Sequence, residues 1–262
     1  MFKQLFNTKP VIDENSRLWI FDTFEWAIEH FNSEVFKTET ELVLPTNTFY
    51  PGRVGSIHEM ASNIFTHTVQ YAGMQNWPLT LVSPQQLNSI DFPALKIEQG
   101  LRGKLSVITL AENTNQTIKF TFNPNQINQP QDLIASYVQQ LATILVMQQK
   151  ILPPGGKEYL PQAIDILSCV MGFGVVFANT AYQFKGGCGS CYNPRANRQA
   201  ALSEQDTLYA LALFCLLKSK KPKDVKSHLK KHLRKPFIKA FQEICSFQDR
   251  SNPLLSLVHK PQ

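Results

Sequence analysis

The chain has 262 residues, of which 43% are hydrophobic and 11% are aromatic, and 26 lysines and arginines oppose 20 acidic residues for a net charge of +6. This composition excludes a disordered tail, a collagen-like fibre and a disulfide-dense secreted miniprotein. We predict a single domain over residues 1–262, with an α/β half over about 1–125 and a helical half over 130–250.

The N-terminal half mixes helical and strand patterns. Residues 16–31 have the apolar spacing of a helix, and Ser56 followed by Glu59 is a capping-box pattern that begins another helix, which Gly73 ends. Short strands are predicted at residues 42–45, 79–82, 104–110 and 117–122. Because residues 112–115 have a turn composition, we expect the last two strands to form a hairpin.

The C-terminal half has helical patterns only. Helices are predicted at residues 132–150, 161–181, 204–217 and 223–247. Ser203 with Asp206 caps the third of these, and Gly172 and Gly174 within the apolar second one indicate close helix packing. An α/β half followed by a helical half predicts an α+β fold.

Four stretches of the sequence resemble an uncharacterised bacterial family of zincin-like proteins of the gluzincin type. The stretches are residues 42–46, 165–174, 177–182 and 202–214. The resemblance covers roughly residues 40–245 and implies a zincin-like fold. Such proteins carry His-Glu-x-x-His on one helix, where two histidines bind zinc and the glutamate is the general base, and Glu-x-x-x-Asp on the next helix.

Compared position by position with this family, the chain lacks the catalytic residues. Gln139 stands at the first ligand histidine, Gln140 at the catalytic glutamate and Thr143 at the second ligand histidine. Pro161 stands at the third ligand glutamate, whereas Asp165 matches the aspartate of the second motif. Amides and a hydroxyl are poor zinc ligands, and Gln140 cannot take a proton from water near neutral pH. The resemblance therefore implies a degenerate site without catalytic residues, metal or cofactor; the alternative is that these are ordinary polar positions on helices.

A Cys-x-x-Cys motif, formed by Cys188 and Cys191, lies in a glycine-rich stretch. One such pair is half of a zinc site, which Cys215 and His228 would have to complete. Three interpretations stay open: free thiols, a local disulfide or redox pair, and a metal site.

The positive charge is concentrated in one segment. Residues 218–239 contain ten lysines and arginines against one aspartate, a net +9, whereas the remaining 16 basic and 19 acidic residues give −3. The candidates for anion binding are Lys226, Lys230, Lys231, Arg234 and Lys235. This density suits phosphate contacts, but no aromatic stacking pattern or nucleic-acid motif accompanies it. We interpret the segment first as a packed helix with a solvated cationic face.

Targeting signals and cysteine usage indicate the compartment. The N-terminus lacks an apolar signal region, and the longest apolar run, residues 163–178, is shorter than a membrane span needs. Five cysteines without a secretory signal indicate reduced thiols. We predict a cytoplasmic pseudoenzyme without a transmembrane segment that binds a protein or peptide. The alternatives are an active hydrolase or peptidase with an unidentified metal site, and a nucleic-acid-associated protein.

Overall fold

The computed structural model describes residues 10–52, 55–87, 93–111, 116–181, 193 and 195–247 of the chain. The α-helices in these ranges are α1 Glu14–His30, α2 Ser33–Thr38, α3 Ile57–Tyr71, α4 Pro130–Gln149, α5 Leu160–Ser168, α6 Gly174–Thr180, α7 Glu204–Leu217, α8 Pro222–Lys226 and α9 Arg234–Ser246. The strands are β1 Leu79–Leu81, β2 Leu95–Gln99, β3 Val107–Leu110 and β4 Ile118–Phe120. Helices and short strands precede a helical C-terminal half, so the predicted α+β class is confirmed.

Helices α3 and α7 begin where the sequence predicts, because a serine side chain satisfies a free amide in the first turn of each. Ser56 Oγ accepts a hydrogen bond from the Glu59 N–H at 3.1 Å, and Ser203 Oγ accepts one from the Asp206 N–H at 3.1 Å. The Glu59 carboxylate in turn accepts the N–H of Gly55 at 2.8 Å. Local sequence therefore determines both helix starts.

Strand β4 lies beside β1 in a parallel pair. Leu79 is opposite Ile118, and Leu81 is opposite Phe120. Ile118 and Phe120 are buried while Lys119 between them is exposed, in agreement with the alternating pattern of this strand. One face of β4 thus belongs to the core.

The predicted hairpin between residues 104–110 and 117–122 is wrong. Strand β3 pairs antiparallel with β2, with Leu95 opposite Leu110, and β4 pairs with β1 instead. Alternation determines which face of a strand is buried, but a hairpin and a parallel pair bury the same face, so the pattern does not identify the partner. Strand β2 was missed because its alternation of apolar and polar residues covers only Leu95 to Glu98 and most of its side chains are exposed.

Residues 42–45 form no strand, which corrects a second prediction. Leu42 and Val43 are buried in an irregular segment, and the Val43 N–H donates to the Gly172 carbonyl oxygen at 2.9 Å. A short apolar run indicates that a segment is buried, but it does not require a strand. An irregular segment is buried as well as a strand is when its amides donate to acceptors outside a sheet.

The helix predicted at residues 161–181 is interrupted between α5 and α6 by a wider turn, Cys169–Phe173. Gly172 in this turn has a φ of 100°, a conformation that side chains with a Cβ rarely adopt. A Cβ at Gly172 would collide with the carbonyl oxygen of Glu41, and one at Gly174 would lie 2.9 Å from a methyl carbon of Leu211. The two glycines therefore permit close packing, as predicted, but one of them also breaks the helix.

The α5–α6 pair forms the centre of the core and contacts α1, α4 and α7. By length and composition the stretch Lys157–Thr180 could cross a membrane, with a mean hydropathy of 1.7, yet 78% of its most apolar window is buried inside the fold. Its hydrophobicity is thus accounted for by a core position.

The basic segment does not form one helix over residues 223–247, because α8 and α9 are separate. Asn179 of α6 reaches into the break, where its Nδ2 donates to the His228 carbonyl oxygen at 2.9 Å and its Oδ1 accepts the Lys230 N–H at 3.0 Å. A tertiary contact satisfies backbone groups that a continuous helix would have paired internally. Helical periodicity alone could not reveal this.

Candidate functional site

One face of α4 forms the floor of a cleft of about 840 Å³. The α4 residues that line it are Ser136, Gln139, Gln140, Thr143 and Ile144. Side chains that are three, four, seven or eight positions apart lie on the same face of a helix. Helical periodicity would therefore have added Ser136 to the predicted site residues of α4.

The walls of the cleft come from three other parts of the chain. They are the strand β4, the first turn of α5 with Pro161 and Gln162, and residues 199–201. Pro161 contributes a ring without a donor or a metal-binding atom. Four of the predicted positions, three on α4 and Pro161 on α5, therefore line one cleft, although they come from different helices.

The fifth predicted position, Asp165, lies buried beneath the cleft. Its Oδ1 accepts a hydrogen bond from Gln139 Nε2 at 3.0 Å. Its two oxygens lie 3.2 and 3.3 Å from Arg198 Nη1, and neither of these two side chains is exposed to solvent. The structure thus brings all five sequence-predicted positions together, and Arg198 balances the charge of the buried aspartate.

Arg198 connects several elements around this aspartate. Its Nε donates to Thr180 Oγ1 at 2.8 Å, its guanidinium carbon lies 4.1 Å from the centre of the Phe177 ring, and its backbone N–H donates to Asp132 Oδ1 at 2.8 Å. No sequence signal marks a single arginine in a loop as part of a site, so sequence reasoning missed it.

Asp165 also fixes the wall formed by residues 199–201. Its Oδ2 accepts the N–H of Ala201 at 2.9 Å and that of Leu202 at 3.2 Å. Gln139 Nε2 reaches the same wall, donating to the Gln199 carbonyl oxygen at 3.2 Å. The Asp165 carboxylate therefore connects the floor of the cleft to one of its walls.

The polar groups of the floor do not fit a zinc ion. The amide nitrogen of Gln139 is engaged by two acceptors, and Thr143 Oγ donates to the Gln139 carbonyl oxygen at 2.7 Å. Asp165 is fully occupied by its donors, and Pro161 has no ligand atom. In the part of the chain that the structure describes, no three His, Cys, Asp or Glu side chains are grouped as metal ligands.

The cysteine pair Cys188 and Cys191 lies outside the described residues, so its three interpretations, and the hydrolase alternative that depends on it, stay hypotheses. Cys215 is buried in α7, and burial raises the pKa of its thiol to about 12. A thiol that stays protonated near neutral pH is a poor metal ligand.

The candidate anion-binding residues form a surface across α8, the following turn and the start of α9. Its exposed lysines are Lys226, Lys230, Lys231 and Lys235. Arg234 differs from them, because its guanidinium donates to the carbonyl oxygens of Leu229 at 2.8 Å and Ser227 at 3.1 Å. We assign Arg234 to closing the break between the two helices.

A second cleft, of about 810 Å³, lies between residues 39–43, which follow α2, and helix α3. Glu39 and Glu41 line it, whereas no acidic side chain of the described residues lines the α4 cleft. None of the residues predicted from the sequence borders this second cleft, so the α4 cleft is the better candidate site.

Comparison with protein-family models, with curated proteins and with solved structures gives no match to this chain. The class is therefore defined by the structure alone. It is an α+β protein in which a helical half and one strand edge enclose a cleft, and the described residues that line this cleft include no acidic side chain.

Proposed function

We propose that this chain is a zincin-like pseudoenzyme that binds a protein segment or peptide in extended conformation in the α4 cleft and does not catalyse zinc-dependent hydrolysis. The resemblance supplies the family, and the observation that supports peptide binding is the free edge of β4 beside the cleft.

The hydrogen bonds of β4 show which of its groups are free. The Ile118 N–H donates to the Pro78 carbonyl oxygen at 2.8 Å, and the Val82 N–H donates to the Phe120 carbonyl oxygen at 2.8 Å. In a parallel pair, alternate residues bond to the partner strand, so the N–H and C=O of Lys119 are directed to the opposite edge. No described strand pairs with that edge. An added extended segment would satisfy both groups, which is the way that exposed sheet edges bind peptides.

The absence of catalysis follows from the side chains at the reacting positions. Gln140 cannot accept a proton from water, and Thr143 and Pro161 replace groups that would bind a metal. Asp165 keeps its position but is engaged by Gln139 and Arg198. The scaffold of the site is retained while its chemistry is lost.

A random seven-residue peptide library displayed on phage tests peptide binding. The intact chain should enrich peptides that it no longer binds when Ala200→Trp fills the cleft, because Ala200 lines the wall. Ser227→Trp, at an exposed position outside the cleft, is the matched control and should bind as the wild type does. Methylating the peptide nitrogen that pairs with Lys119 should weaken binding at least tenfold. Enrichment that Ala200→Trp leaves unchanged would refute the assignment of the cleft.

Metal analysis of the purified protein tests the other half of the proposal. We expect less than about 0.1 zinc per chain after dialysis against micromolar zinc, since the donors at the site have low affinity for the ion. Stoichiometric zinc that is lost on changing Gln139 or Thr143 would refute the pseudoenzyme assignment.

A second candidate function, binding of nucleic acid, is favoured by one observation. The exposed Lys226, Lys231 and Lys235 have no carboxylate partner among the described ion pairs. Duplex DNA followed across a salt series would test this candidate, and no retention at about 50 mM salt would eliminate it. We place the protein in the cytoplasm, on the cysteine usage given above.

A further inference from the structure

The glutamine amides on the floor of the α4 cleft offer acceptor oxygens that no described residue pairs. Both acceptors beside the Gln139 amide group, Asp165 Oδ1 and the Gln199 carbonyl oxygen, require its NH₂ to face them, and its Oε1 accepts no hydrogen bond from the described residues. The NH₂ of Gln140 donates to the Ser136 carbonyl oxygen at 3.3 Å, which likewise leaves its Oε1 free. The floor therefore presents acceptor oxygens to whatever occupies the cleft.

A third acceptor in the cleft is buried and has no partner. Gln162 Oε1 receives no hydrogen bond in the structure, although this atom is almost fully withdrawn from solvent. A buried acceptor without a donor costs free energy, which a bound ligand would recover by supplying an N–H group once rotation of the Gln162 side chain turns this oxygen into the cleft. The same cleft also offers donors, among them the second N–H of Gln140 and the hydroxyl of Ser136, whose Oγ accepts from Gln126 Nε2 at 3.0 Å and keeps its own proton available.

The charges around the cleft select against a cationic donor. Lys119 is the charged side chain that lines it, and the first turn of α5 adds the positive end of a helix dipole. The buried Asp165 is neutralised by Arg198 and offers no field to attract a cation. A ligand that supplies N–H groups here should therefore be uncharged.

We propose that the bound peptide places an uncharged primary amide, the side chain of Asn or Gln, on the floor formed by Gln139, Gln140 and Gln162. Its two N–H groups donate to the free glutamine oxygens, and its carbonyl oxygen accepts the Ser136 hydroxyl proton. This inference rests on the proposed peptide binding and adds the residue type that the cleft selects.

The peptides enriched from the phage library test the inference directly. They should share Asn or Gln at one position, and synthetic versions with Met at that position should bind at least tenfold more weakly, because Met has similar length but no donor. Gln140→Glu should reverse the preference and favour Lys at the same peptide position, since it places a negative charge on the floor. Gln149→Glu, on the opposite side of the same helix, is the matched control and should leave the preference unchanged.

The possible results separate the two proposals. If peptides bind through the cleft but share no Asn or Gln, or lose less than tenfold with Met, the amide inference is overturned while peptide binding stands. A preference that Gln140→Glu does not move also overturns the inference. If no peptide is enriched in a manner that Ala200→Trp blocks, both proposals fail.

Discussion

Gly172 has no side chain because the core leaves no room for one. Its φ of 100° and its closeness to the Glu41 carbonyl oxygen both exclude a Cβ. The same residue accepts a hydrogen bond from the Val43 N–H, so it anchors the 40–43 segment to the centre of the protein. A single position thus combines a helix break with the attachment of a buried irregular segment.

Replacing this glycine should have a large effect on stability. We expect Gly172→Ala to lower the free energy of unfolding by about 3 kcal/mol, through a strained backbone and a steric overlap in the core. Urea unfolding followed by far-ultraviolet circular dichroism measures the change. Gly55→Ala is the control, because Gly55 has no positive φ and an added Cβ would meet only an ordinary contact. Equal stability of the two variants would contradict this explanation of the break.

Asp165 should matter for stability more than any exposed carboxylate. Asp165→Ala leaves the buried Arg198 charge unpaired and is expected to cost about 3–5 kcal/mol, whereas Asp224→Ala, at an exposed position, should cost under about 0.5 kcal/mol. Urea denaturation of the two variants provides the comparison.

A double replacement distinguishes the charge from the packing. Removing both charges with Asp165→Leu and Arg198→Met should cost less than Asp165→Ala alone, because no uncompensated charge is then buried. A double variant less stable than the single one would indicate that the packing of Arg198 on Phe177 and its hydrogen bond to Thr180, rather than the buried charge, dominate the effect.

Among the elements, α4 and α5 place the positions that the resemblance assigns to a metal site on one cleft. If the resemblance is correct, the variant Gln139→His, Thr143→His, Pro161→Glu should gain about one tightly bound zinc per chain, because Asp165 already accepts a hydrogen bond from position 139 and would orient the introduced imidazole. Atomic absorption after gel filtration measures the zinc content.

The double variant Gln139→His, Thr143→His, without the third ligand, is the matched control. It should retain much less zinc, since two imidazoles alone do not complete a protein site. A triple variant that binds no more zinc than the double would mean that α5 is not placed as in a zincin.

Three elements differ from their sequence predictions for a common reason. The pairing of β4, the break at Gly172 and the break between α8 and α9 each depend on a contact with a part of the chain distant in sequence. In contrast, the starts of α3 and α7 depend on side chains three residues away and were predicted correctly. Local patterns determine what a segment buries and where a helix begins, but not which neighbour satisfies its remaining backbone groups.

At the scale of the whole molecule, buried thiols should make stability depend on alkaline pH. Burial raises the pKa of Cys215 to about 12 and also raises the pKa of Cys169, so both thiols stay protonated in the folded chain when they ionise in the unfolded one. A raised pKa in the folded state stabilises the fold fully below the unfolded value, near 9, and this contribution is lost as pH rises beyond it. We expect a loss of about 1.4 kcal/mol per thiol between pH 8 and pH 10.

Urea unfolding midpoints at several pH values between 7 and 10 measure this loss. In Cys215→Ala, the decrease between pH 8 and pH 10 should be smaller than in the wild type by about 1.4 kcal/mol. A free energy of unfolding that stays constant from pH 8 to pH 10 would contradict the burial of these thiols.

The distribution of charge is also a property of the whole chain. The sequence concentrates +9 in residues 218–239, but the structure divides that segment between two helices and assigns Arg234 to carbonyl oxygens. The exposed Lys226, Lys231 and Lys235 remain available for anions, whereas Lys119 is the one charged side chain among the described residues that line the α4 cleft. The net charge therefore describes one surface of the protein and not its candidate site.

Periodicity and helix caps are local properties, so the sequence predicts the α+β class and most helix positions, whereas the five positions at the candidate site come from its resemblance to zincin-like proteins. Only the tertiary structure decided that Gln139, Gln140, Thr143 and Pro161 line one cleft above Asp165, and that Arg198 neutralises this aspartate. It also decided that the edge of β4 borders that cleft, which underlies the proposed peptide binding. These features depend on contacts between segments separated by tens of residues, and the free energy of such contacts comes from burial and charge pairing that no local pattern encodes.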